Sequence, residues 1–142
     1  MGGVVGVEAI LAPGRTGTWA MPLPWNETGA DVAIESVDAL NLQGLTVLGI
    51  KASYPGPADG IVFADGYPPV GVPSEPIENA TMYVVGSERA TLQLLIGVHR
   101  AGIAPGTIEA LRIRYMAGGT RYETVFPWTL KATDAAPSPV PS

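Results

Sequence analysis

Apolar and polar residues alternate with a period of two along several short stretches of this chain, the mark of half-buried β-strands. Thr91–Arg100 reads T-L-Q-L-L-I-G-V-H-R, which places Leu92, Leu94, Ile96 and Val98 on one face and Thr91, Gln93, Gly97 and His99 on the other. Thr46–Tyr54 sorts Leu48, Ile50 and Tyr54 to one side and Val47, Lys51 and Ser53 to the opposite one. A further strand begins at Asp31, with Val32 and Ile34 inward. Its alternation slips near Ser36, as at a β-bulge or a strand end. Val4–Leu11 is apolar on both faces and predicts a strand in the packed middle of a sheet.

The strongest local expectation is a C-terminal hairpin. Ile108–Met116 and Arg121–Leu130 flank Ala117-Gly118-Gly119-Thr120, and a Gly-Gly pair suits a tight primed turn. With Gly118 and Gly119 as the loop, Tyr115 faces Tyr122, Ile113 faces Thr124 and Leu111 faces Phe126, all on one side. Arg114 then faces Glu123 on the other, an opposite-charge cross-strand pair. One choice of turn sorts both strands.

No segment sustains a helical apolar period. The best helical candidate, Asn41–Leu48, is interrupted by Gly44. Eighteen glycines and 14 prolines separate the short apolar runs, a density that strands tolerate and helices do not. Pro55–Ala80 holds six of these prolines and reads as a long connection, crossing from one sheet to another. The reading is one β-sandwich domain over residues 1–132, with the long loop at 55–80. It has about seven or eight strands, Greek-key connections and the C-terminal hairpin. Residues 133–142, rich in Pro, Ala and Ser, read as a disordered tail.

Charge and composition narrow the function. Eight basic residues against 13 acidic give a net charge of −5, which argues against nucleic acid and against a polybasic membrane contact. The chain has no cysteine, so disulfides, thiolate metal sites and cysteine nucleophiles are excluded together. No uninterrupted apolar run approaches the roughly 18 residues of a membrane span. Met1–Leu11 lacks a basic start and carries Glu8, so it is not the pattern of a signal peptide.

Candidate chemistry is sparse. His99, the one histidine, falls on the outward side of its strand, and no G-x-S-x-G elbow accompanies it. No catalytic residue, cofactor or metal ligand is assigned, and the expectation is a protein that is not an enzyme. The loop acids Asp59, Asp65, Glu75 and Glu78 could gather around calcium, but their spacing matches no EF-hand. Asp59-Gly60 and Asp65-Gly66 are also ordinary turn pairs. Trp19, Trp25 and Tyr67 lie near loops or strand ends, where exposed rings could stack on sugars. Trp19 and Trp25 belong to an irregular-looking Pro-containing stretch, T-W-A-M-P-L-P-W. Trp19, Trp25, Tyr67, Asp59 and Asp65 are thus the candidate ligand or partner contacts. Asn26-Glu27-Thr28 and Asn79-Ala80-Thr81 match the short N-glycosylation pattern, weak evidence on its own.

Three segments carry a family resemblance: P-W-N-E-T-G-A-D-V-A-I-E-S-V (Pro24–Val37), L-T-V-L-G-I-K-A (Leu45–Ala52), and the ending from Ile108 to Leu130 with R-Y-M-A-G-G-T-R-Y at its turn. They resemble the extracytoplasmic Ig-like domains of membrane-anchored proteins of high-GC Gram-positive bacteria (actinobacteria). The resemblance covers Pro24 to Leu130 apart from the long loop, and its motifs are structural. It implies an Ig-like fold and an outward-facing location, anchored through a segment not among these 142 residues. It implies no activity. The expected function is a non-catalytic interaction or spacer domain meeting an unknown protein or cell-envelope component through the 55–80 loop or an unprotected sheet edge. The alternative is a module binding carbohydrate through the aromatics or calcium through the loop acids.

Overall fold

The computed structural model describes residues 5–22, 31–54, 63–69, 73–82 and 92–133, and over them the chain is all-β. In chain order the strands are β1 (Val5–Ile10), β2 (Thr16–Pro22), β3 (Val32–Leu40), β4 (Leu45–Ser53), β5 (Phe63–Asp65), β6 (Glu75–Pro76), β7 (Thr81–Met82), β8 (Gln93–Arg100), β9 (Gly106–Ile108), β10 (Ala110–Ala117), β11 (Thr120–Phe126) and β12 (Trp128–Thr133). Eight of these twelve have six residues or more; β5, β6, β7 and β9 have two or three. A 3-10 turn, Ile77–Asn79, is the one helical element among the described residues.

The strands form three sheets, ordered β1-β12-β9, β11-β10-β3-β7 and β5-β2-β8-β4-β6. One buried core draws on all of them: Ala9, Ile108 and Leu130 from the first, Ile34, Leu111 and Ile113 from the second, Trp19, Leu94 and Ile96 from the third. Burial of this kind stabilises by about 1.5–3 kcal/mol for each large apolar side chain.

The C-terminal hairpin has the register read from its turn, with Tyr115 opposite Tyr122, Ile113 opposite Thr124, Leu111 opposite Phe126 and Arg114 opposite Glu123. Gly118 and Gly119 have φ of 57° and 80°, the left-handed pair that a type I′ turn requires. The hairpin does not run straight to Leu130. It breaks at Glu109 and Pro127, beyond which β9 and β12 pair in another sheet. Proline lacks the N–H that would continue the ladder, which suits it to this break.

Two bulges explain where simple alternation goes out of phase. Along β3, Ser36 pairs with Arg114 and Ile34 with Tyr115, leaving Glu35 unmatched. Val32 and Ile34 point into the core before this bulge, and Val37 and Ala39 pack against the core after it. Along β4, Val47 pairs with Val98 and Gly49 with Gly97, so Leu48 is the extra residue. This corrects the reading of that strand. Leu45 and Val47 face the core, Ile50, Ala52 and Tyr54 resume it after the bulge, and Leu48 stands 51% exposed.

Two other strand readings change. β1 lies not in the middle of a sheet but at the edge of its three-stranded sheet among the described residues, parallel to β12. Its Ile10 is exposed. β8 occupies the centre of the five-stranded sheet and is buried on both faces. Gln93, read as outward, is buried and accepts a hydrogen bond from Ser53 Oγ at 3.3 Å.

Candidate functional site

The second face of the five-stranded sheet is covered by part of the long 55–80 segment. β5 pairs with β2, and the chain then turns back at Gly66. The Gly66 N–H donates to the Thr16 carbonyl at 3.0 Å, and Thr18 Oγ1 donates to the Gly66 carbonyl at 2.5 Å. Those two bonds deliver the Tyr67 ring onto Gly97 and Gly49, which face one another across β8 and β4. A side chain at Gly97 would overlap Tyr67 Cγ, and one at Gly49 would begin 2.9 Å from its hydroxyl oxygen. Two adjacent positions without side chains thus form a bed for one ring. Burial there raises the phenol pKa above its ordinary value of 10.0.

The remaining candidate residues do not converge on this ring. Trp19 lies within β2, not in an irregular stretch, and is fully buried in the core. Its ring presents no face to solvent, and its Nε1 has no hydrogen-bond partner. Asp65 ends β5 and is exposed. Glu75 lies in β6 and Glu78 in the 3-10 turn, and no group of three or more His, Asp or Glu among the described residues could hold a metal ion. Trp25, Asp59 and Asn26 lie outside the described residues.

His99 is half-buried, not solvent-facing as read. Its Nδ1 shares a hydrogen bond with Thr16 Oγ1 at 3.0 Å, across the β2–β8 pair that aligns the two residues. Next to it, Arg100 is only 1% exposed. Its guanidinium donates to the carbonyls of Leu11 at 2.7 Å, of Ala104 at 3.1 Å, and of Ile103. Its backbone N–H donates to Arg15 and its carbonyl accepts from Gly14. One side chain therefore ties the 11–15 turn to the 101–105 loop. Pattern reading missed it because an arginine ending an apolar strand looks like a solvated terminus.

The other exposed feature is β11, the outermost strand of its sheet among the described residues. Its two-residue turn makes Ala117–Thr120 a hydrogen-bonded pair, so the backbone groups of Thr120, Tyr122, Thr124 and Phe126 point to β10. Those of Arg121, Glu123 and Val125 point away from the sheet. Tyr122 is 47% exposed and stacks on Tyr115 with ring centroids 5.4 Å apart, while Val125 is 51% exposed. On the outer face Arg114 Nε meets Glu123 at 2.8 Å, Arg112 meets Asp38 at 3.1 Å, and Arg121 meets Glu35 at 3.4 Å. The hydrogen bond from Arg114 to Glu123, and then the charge of that carboxylate, raise the Arg114 pKa further. Exposed pairs of this kind contribute about 0–1 kcal/mol each, so they mainly set which residues a partner meets.

Neither the protein-family models nor the curated proteins compared with the chain give a match.

Proposed function

We propose that the chain is a non-catalytic interaction or spacer domain, an Ig-like β-sandwich with Greek-key connections, held outside the cell. The sandwich reading is supported by the single core shared between the four-stranded and five-stranded sheets. The outward location rests on the resemblance of the Pro24–Val37, Leu45–Ala52 and Ile108–Leu130 segments.

The observation that carries the interaction reading is the outer edge of β11. Proteins blunt such edges with proline, charged side chains (lysine above all), bulges or short strands, because an unpaired ladder recruits another chain. β11 has seven residues, no proline and no lysine, and its register with β10 is unbroken. Its two charged residues, Arg121 and Glu123, are of opposite sign and paired with Glu35 and Arg114. An extended partner adding here would bond through Arg121, Glu123 and Val125 and meet an apolar group at Val125.

A photo-crosslinking amino acid at position 125, compared with one at exposed position 131 of β12, tests this in the native cells. The expected result is a discrete adduct from 125 and none from 131. Adducts from both positions alike, or from neither, overturn the reading.

A further inference from the structure

We infer that the partner at this edge is a second copy of the same chain, paired β11 to β11 in antiparallel register with Tyr122 opposite Tyr122. This rests on the interaction reading above and deepens it.

The register follows from backbone geometry and charge. A two-fold ladder can only bring outward-pointing residues opposite outward-pointing ones, since directly opposed antiparallel residues are either both hydrogen-bonded or both not. In β11 the outward residues are Arg121, Glu123 and Val125. Centring the axis on Glu123 sets that carboxylate against its own copy, and centring it on Arg121 does the same with two guanidinium groups. Centring it on Thr124 sets Glu123 against Val125. The axis at Tyr122 sets Arg121 against Glu123 twice, and Thr120 against Thr124. Opposite charges directly across a ladder favour it and like charges oppose it.

The aromatic geometry agrees. The Tyr122 ring already stacks on Tyr115 within the hairpin, at an interplanar angle of 21°, and the residue is 47% exposed. A non-hydrogen-bonded pair brings side chains closest together, so the two Tyr122 rings would continue that stack across the axis. The product is one continuous sheet, β7-β3-β10-β11 running into its own copy.

The test is sedimentation velocity on the full chain as wild type, Arg121→Glu, Glu123→Arg, and an equimolar mixture of the two variants. Wild type is expected to dimerise, and each variant alone to associate at least about tenfold more weakly, because each sets like charges opposite one another. The mixture is expected to recover the dimer, since one partner then carries carboxylates at both positions 121 and 123 and the other carries guanidinium groups at both. Should Glu123→Arg fail to fold, Arg121→Pro removes an N–H that bonds only across the axis, and it too should yield monomer. Wild type remaining monomeric at millimolar concentration overturns the inference, while adducts from position 125 would still uphold the edge reading. A dimer insensitive to Arg121→Glu also overturns it.

Discussion

The ring of Tyr67 occupies the space that a side chain at Gly97 would fill, with its Cγ well inside the contact distance of any Cβ placed there. The two belong to segments far apart in the chain, and their contact turns a loop into the cover of a sheet. Gly97→Ala should destabilise the fold by about 1–3 kcal/mol, the usual range for overpacking. Tyr67→Ala should have a cost of similar order, and the double variant should cost clearly less than the sum, because Tyr67→Ala removes the ring that the methyl added at position 97 would overlap. Urea denaturation of the three variants measures this. Additive losses would mean the ring does not rest on Gly97.

Burial also sets how Tyr67 titrates. Its folded pKa lies above the ordinary 10.0, so its contribution to stability is fully present below pH 10.0 and is lost as pH rises through the raised folded value. Absorbance at 295 nm should show a phenol ionising above the ordinary 10.0, and Tyr67→Phe should remove that late step. A late step that survives Tyr67→Phe, or no late step in the parent chain, would contradict the burial.

Arg100 holds two loops through three carbonyls, so its loss should be felt far from its own strand. Arg100→Ala should lower stability by at least about 3 kcal/mol, since buried acceptors lose charged donors. Arg100→Lys should recover little of it, because an ammonium cannot reproduce the fork of a guanidinium. Chemical denaturation, with limited proteolysis of the 101–105 loop, reads both effects. Rescue by lysine would show that charge alone matters there.

The bulge at Leu48 predicts opposite outcomes for two neighbours of similar hydropathy. Leu48→Ser should change stability by no more than about 0.5 kcal/mol, as for an exposed site, and Ile50→Ser should cost about 2 kcal/mol or more. Thermal melts of the pair decide it. Similar losses at both positions would restore the unbroken alternation.

The sequence exposed these features unevenly, and the reasons are physical. The hairpin register was legible because Gly118-Gly119 fixes the turn and every later pair follows from it. Val32 and Ile34 were legible because they precede their bulge. Leu48 was not, since an inserted residue inverts the phase without altering composition. Gln93 and His99 looked outward because alternation assumes one solvated face, whereas β8 is central and covered on both faces, one of them by the Tyr67 ring at Gly97. Trp19 looked like a loop aromatic because of its proline neighbours, yet it pairs with Ile96 and Phe63 in the sheet. The edge of β11 depends on which strands neighbour it, and that is a property of topology alone.

The central claim, that β11 offers an open edge, is tested most directly by residue-resolved amide hydrogen exchange at a dilution where the protein is monomeric. The amides of Tyr122 and Thr124 should be protected by β10 and those of Arg121, Glu123 and Val125 should exchange fast, an alternation along one strand. Equal protection of all five would mean that another part of the chain already covers the edge, and the account would fail.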